Sequence, residues 1–224
     1  MFWPILVGSV ISFLLAFNMS EISDWCDGAG QELLFVFVLS SLSILILLSS
    51  LLMIQQNTVK SNSVKYVVLF SAIIVLVMSL EGAEIIIYFE SSMSIPEQFK
   101  SSLLGGILGF GIGVSVGAAS YYMLNQSKRF GKNICLALFS MVSAGMVSQA
   151  ISYLMQAGIV EGGYPIWNTS DIVSEHSVLG QLLYALIGYE STPVLIQVIA
   201  YFLFLLIPLW MFLYLRTKNN NQDN

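Results

Sequence analysis

The chain has 224 residues, of which 57% are hydrophobic and only 9% charged, against about 25% charged in an ordinary soluble domain. Its mean hydropathy is +0.83, which leaves too little polar surface to coat a water-soluble globule. With a net charge of −5, eight Lys plus Arg and two Cys, this composition excludes a cytosolic enzyme, a nucleic-acid binder, a disordered chain and a disulfide-stapled secreted domain. A polytopic membrane protein remains.

A membrane helix needs about 20 mostly apolar residues. In chain order six stretches qualify: 4–19, 33–54, 66–89, 102–124, 134–157 and 194–215, the first being the shortest. Irregular backbone cannot face lipid, so each is expected to be a helix. The runs are continuous rather than alternating, which argues against a β-barrel. The expected fold is an all-α transmembrane helix bundle with six spans, forming one domain over 1–216 with a polar tail at 217–224.

The basic residues orient these spans. Lys60 and Lys65 flank the second connection, Lys128, Arg129 and Lys132 fill the fourth, and Arg216 and Lys218 sit in the tail, whereas Lys100 alone falls in an odd-numbered connection. By the positive-inside rule both termini are cytoplasmic, and connections 20–32, 90–101 and 158–193 face outward. The outer connections are acidic: the first holds Glu21, Asp24 and Asp27, with Glu32 at the helix mouth, and the third holds Glu161, Asp171, Glu175 and Glu190. Two readings are open, ordinary solvated loops or an electrostatic funnel for cations. Cys26 falls in an outer connection and Cys135 near an inner helix end, so no disulfide between them is expected. No Lys or Arg precedes Lys60, so nothing supports the basic region of a signal peptide.

The most informative residues lie in the third stretch, in Leu80-Glu81-Gly82-Ala83-Glu84. Each acidic residue at mid-membrane costs about 2.5–3.5 kcal/mol on insertion scales. Glu81 and Glu84 are three apart and share a helix face, and Tyr88, four beyond Glu84, shares it too. No Lys, Arg or His lies in the run to neutralise them. Such a pair either holds helices together, protonated or internally hydrogen-bonded, or marks a cation route. Carboxylate oxygens suit hard cations without choosing among metals.

The fourth stretch repeats Gly105, Gly109, Gly113 and Gly117 every four residues, a bare stripe on which another helix can pack. Gly113-x-Ser115-x-Gly117 formally matches a hydrolase nucleophile elbow, but that motif needs a strand–turn–helix context. His176 is the only histidine, so a bis-histidine haem pair is impossible, and beside Glu175 and Ser177 it reads as a surface or capping residue. Asn18-x-Ser20 and Asn168-x-Ser170 match the glycosylation acceptor, a weak three-residue signal.

Ile166-Trp167-Asn168-Thr169-Ser170, Ser174-Glu175-His176-Ser177-Val178-Leu179-Gly180-Gln181-Leu182-Leu183 and Ile187-Gly188-Tyr189-Glu190 through Pro193 resemble the oxidase-dependent iron permease (Ftr) family, in its bacterial branch. That family carries a tryptophan-acid-x-serine turn, a Ser-x-x-Gly-x-Leu helix start and a Gly-Tyr before its last span. Glu81 and Glu84 match the two glutamates of its second Arg-Glu-x-x-Glu motif, and Gln31-Glu32-Leu33 resembles the entry to its third helix. The resemblance covers nearly the whole chain and implies an inner-membrane, multi-pass permease for iron ions. It implies a metal site at Glu81 and Glu84, with Glu32 and Tyr88 as accessory ligands. Iron is then cargo rather than a resident cofactor. The partners implied are the lipid bilayer and a periplasmic iron-binding protein or oxidase, with no nucleic acid and no enzymatic step.

The departures from the family are specific. It has seven helices with the N-terminus outside; this chain shows six and begins where the second would, so the first helix and its Arg-Glu-x-x-Glu have no counterpart. Leu80 stands for the arginine of the surviving motif, Phe35 for a frequent carboxylate, Asn168 for the acid of the tryptophan turn, and bacterial members have a glutamate near Tyr184. Three expectations follow: the sequence is a fragment of a longer gene, the missing helix comes from another polypeptide, or the protein is a degenerate relative; the competing functional expectation is a truncated or degenerate, non-transporting membrane subunit. Another divalent ion, such as lead or manganese, fits the same ligands.

Overall fold

A computed structural model of the chain describes residues 2–55, 63–126 and 131–220. Among these residues seven α-helices run in order: α1 (Phe2–Ser23), α2 (Gly30–Gln55), α3 (Ser63–Met93), α4 (Pro96–Gln126), α5 (Gly131–Gln156), α6 (Val178–Ile187) and α7 (Leu195–Asn220). Five of them, α1 to α5, are long and apolar enough to cross a membrane. The protein is an all-α, multi-pass membrane bundle. In α7 the described apolar stretch is the shorter Leu195–Met211, and Pro208 sits buried within the helix.

The helices outrun the apolar stretches that announce them. Connection 20–32 shrinks to a turn around the 3-10 segment Cys26–Gly28, and connection 90–101 to the two residues before Pro96. Hence Glu21, Glu32, Glu90, Glu97 and Lys100 lie in helical backbone rather than loops. Hydropathy marks where lipid is tolerated, whereas a helix continues as long as its backbone groups find partners. Of the residues behind the orientation argument, Lys60, Lys128 and Arg129 lie outside the described residues. Tail residues 221–224 lie outside them as well.

The chain divides into two compact units, Met1–Met19 with Ile74–Cys135, and Ser20–Ile73 with Leu136–Asn224. In the first, α1 lies close against α3: a Cβ added at Gly8 would fall 2.6 Å from the Cβ of Met78, and one at Gly82 would fall 2.7 Å from Ser12 Oγ. The stripe Gly105, Gly109, Gly113 and Gly117 on α4 meets nothing within 4 Å. In the second unit α2 crosses α5 through a reciprocal serine pair. Ser43 Oγ donates to the Ser143 carbonyl at 2.7 Å, and Ser143 Oγ to the Ser43 carbonyl at 2.9 Å. Small polar residues of this kind let helices approach and satisfy one another without water. Two to three turns away Phe35 is buried and packs edge-on against Tyr153, centroids 5.0 Å apart.

The 157–194 connection is built rather than loose. Ser177 caps α6, its side chain accepting from Gly180 N at 3.0 Å, a contact typical of helix starts. Gly188 ends α6 in the left-handed region at φ 67°, where glycine pays no Cβ penalty. Gly145 of α5 lies directly against it; a Cβ on Gly145 would fall 2.9 Å from Gly188 Cα. At ten residues, α6 is about 15 Å long, half of a hydrocarbon core.

Candidate functional site

On α3 the residues Ser79, Leu80 and Ala83 are buried, Ala83 completely. At about 100° per residue, Glu81, Glu84, Ile85 and Tyr88 then fall on the opposite side. The structure agrees: Glu81 is exposed, Glu84 half-buried, and Ile85 and Tyr88 are each 56% exposed. Gly82 lets α1 approach the helix closely, where an added Cβ would meet Ser12, and the carboxylates are carried away from that contact. The shared face expected of Glu81, Glu84 and Tyr88 is present.

Neither carboxylate has a hydrogen-bond or ion-pair partner among the described residues. Tyr88 is engaged elsewhere: its hydroxyl accepts from Ser102 Oγ at 3.1 Å, tying α3 to α4. Glu32 is half-buried in the first turn of α2, where the helix dipole favours a negative charge. Its neighbour Gln31 accepts from Ser23 Oγ at 3.3 Å. Glu32 belongs to the second unit, Glu81 and Glu84 to the first. Among the described residues no three His, Cys, Asp or Glu side chains gather into a metal-binding group, so Glu81 and Glu84 stand as a pair. Leu80 and Phe35 are both buried apolar side chains.

A second carboxylate assembly lies in the second unit. Glu190 takes a hydrogen bond from Ser152 Oγ of α5 at 3.1 Å on one oxygen and from Gln197 Nε2 of α7 at 2.6 Å on the other. Gln197 is 2% exposed; it also donates to Ser152 Oγ and accepts from Val194 N at 2.8 Å. Glu175 accepts from both the amide and the hydroxyl of Ser191, at 2.5 and 2.7 Å. Tyr189 donates to the Val173 carbonyl at 3.0 Å and lies 2.7 Å from Thr169 Oγ1. Burial, foremost, and the nearby Glu175 charge push the Glu190 carboxyl above its ordinary range, while the Gln197 and Ser152 hydrogen bonds pull the other way.

Sequence reasoning treated Glu175 and Glu190 as loop charges and passed over Gln197. The available signal was a glutamine three residues into an apolar helix, since a buried amide demands partners. His176 is exposed, its backbone amide donating to Ser174 Oγ at 3.3 Å. Asn168 closes a local turn, its Oδ1 accepting from Ser170 N at 2.9 Å and from Ser170 Oγ at 2.5 Å. Asn18 donates back to the Leu14 carbonyl within α1. Cys26 and Cys135 are free thiols.

No family model and no solved structure matches the chain. Curated proteins do: the ferrous iron permeases EfeU of Yersinia pestis and of Yersinia pseudotuberculosis are each 33% identical to it over 113 residues. The matched stretch is 49% of this chain and 39% of the length of those relatives. The similarity is to transporters rather than enzymes. Over about half its length, this membrane bundle is homologous to EfeU-type ferrous iron permeases.

Proposed function

We propose that the chain acts in iron uptake across a bacterial inner membrane, with Glu81 and Glu84 as a carboxylate station for the ion. The observation that carries this reading is a pair of acidic side chains, one turn apart on an apolar helix, with no hydrogen-bond or ion-pair partner for either among the described residues. Two carboxylates with no cationic partner among the described residues have an insertion cost that a bound cation or protons offset. Similarity to ferrous iron permeases favours iron as that cation. Oxygen-ligated cations such as Mg²⁺ and Ca²⁺ take six or more ligands, so Glu81 and Glu84 form part of a coordination sphere. Tyr88, on the same helix face, is its accessory candidate, and water or a further oxygen donor completes it. Acidic residues on the outer side raise the local cation concentration, and ligand exchange passes the ion inward. An iron-binding protein or oxidase outside the membrane hands over the cargo.

The test is iron uptake by cells expressing the chain, alone and together with such a partner. Replacing both Glu81 and Glu84 by Gln abolishes saturable uptake while the protein still reaches the membrane. Uptake unchanged by the double substitution removes the site from the transport route.

A second reading, a non-transporting membrane subunit, is favoured by the buried Leu80 and Phe35, which leave the pair without the family's arginine and one of its carboxylates. It is distinguished by the wild-type chain failing to raise uptake above background with or without a partner.

A further inference from the structure

The Glu190 assembly opens onto a cavity of about 220 Å³ in the second unit. Its walls include Trp167, Tyr189, Tyr201 and Phe202, four aromatic residues, and Glu190 is the one residue lining it that carries a formal charge. The hydrogen bonds that Glu190 receives, from Ser152 and Gln197, come from neutral donors. They orient the carboxylate without neutralising it. Among the described residues it has no ion-pair partner. Glu175, the other nearby carboxylate, is committed to Ser191 and adds like charge.

A half-buried carboxylate without a counter-charge is costly, and the cost is relieved when a cation seats beside it. Two properties of the cavity select the kind of cation. A metal ion seeks several hard oxygen donors within about 2.0–2.6 Å, and here one carboxylate stands among aromatic and aliphatic walls; a space this size is also far larger than a bare ion. Aromatic rings attract alkylammonium groups through their negative faces, the chemistry by which quaternary amines are recognised. We propose that this cavity is a binding site for an organic ammonium group, with Glu190 as counter-ion and Trp167, Tyr189, Tyr201 and Phe202 as its aromatic surround. Ser152 and Gln197 act as positioning residues that hold the carboxylate toward the cavity. The ammonium arrives either on a free amine or on the ethanolamine headgroup of a lipid. This site is separate from the carboxylates assigned to iron and stands or falls independently of them.

Trp167 supplies the readout. With Trp3, Trp25 and Trp210 replaced by Phe, Trp167 is the sole indole in the chain. The full-length protein in a maltoside detergent is titrated with ethanolamine and with choline, and in parallel reconstituted into phosphatidylglycerol discs with and without phosphatidylethanolamine. A saturable change in Trp167 emission is expected. Response to the free amines assigns a soluble ligand, and response only in discs containing phosphatidylethanolamine assigns the lipid. Glu190→Gln, which keeps hydrogen-bonding capacity toward Ser152 and Gln197, raises the half-saturation concentration about tenfold, and Tyr201→Leu raises it about threefold. Tyr201→Leu carries the test if Glu190→Gln does not fold, as judged by helical circular dichroism. The proposal is overturned by the absence of any saturable response, by equal half-saturation in wild type and variant, or, where the free amines give no response, by an equal response in discs with and without the amine headgroup. That last result marks an acyl-chain crevice.

Discussion

Glu81 and Glu84 on α3 and Glu175 and Glu190 around α6 are the same side chain treated in opposite ways. The pair around α6 is furnished with donors: Ser191 twice for Glu175, Ser152 and Gln197 for Glu190. The α3 pair has none among the described residues. A carboxylate whose oxygens are already occupied is fixed in place and serves as an anchor or as a fixed charge. One whose oxygens are all free is available to something that comes and goes. Membrane proteins bear the insertion cost of the second kind for function, and this contrast underlies the exchangeable-ligand role proposed for Glu81 and Glu84 and the fixed counter-charge proposed for Glu190.

The largest expected effect tests the free pair directly: Glu81→Gln with Glu84→Gln removes both ligands and should abolish saturable iron uptake at normal membrane abundance. Next comes the occupied pair. Gln197→Leu strips a donor from Glu190 and an acceptor from the Val194 amide, so stability against denaturant in detergent should fall by about 2–3 kcal/mol. Adding Glu190→Gln to that variant should recover part of the loss, because the stranded charge is gone; strictly additive losses would mean that the two residues are not coupled. A comparable value for Glu84→Gln would erase the distinction between the pairs.

Acidity gives a third test. The folded-state pKa of Glu190 is raised above the ordinary 4.5, so the unfolded chain releases this proton first as pH rises. Its contribution to stability is fully present below pH 4.5 and is lost as pH climbs through the raised value. Wild type should therefore lose stability over that interval relative to Glu190→Gln. Identical pH profiles would show that the carboxyl is no more buried than a free one. The smallest effect is at the cap: Ser177→Ala should cost about 1 kcal/mol through loss of the Gly180 contact, measured by the same unfolding experiment, with uptake unaltered.

The bundle was legible because lipid imposes a simple rule on long apolar runs: four of the six expected stretches fall wholly within helices, and the other two overrun theirs by one residue, at Ala157 and at Val194. The acidic pair and its common face with Tyr88 were legible for the same reason, since charge in such a run is conspicuous and helical spacing fixes direction. What escaped was everything that depends on which element meets which. That α1 packs on the Gly82 side, leaving Glu81 on the exposed one, is decided by Ser12 and Met78, some 70 positions from their contacts or from their helix partners. Gln197 finds Ser152 across 45 positions, a pairing no local pattern encodes. Helix ends were misplaced because polar turns such as Glu97 to Lys100 continue helical geometry beyond the reach of hydropathy.

Asn168 stands where the resembled family has an acid, yet its side-chain oxygen still gathers the amide and hydroxyl of Ser170. An amide takes up no proton across the physiological range and offers little to a passing metal. The bend it holds beside Trp167 is thus indifferent to both, and the shape of that wall persists whether the surroundings are acidic, neutral or rich in ions.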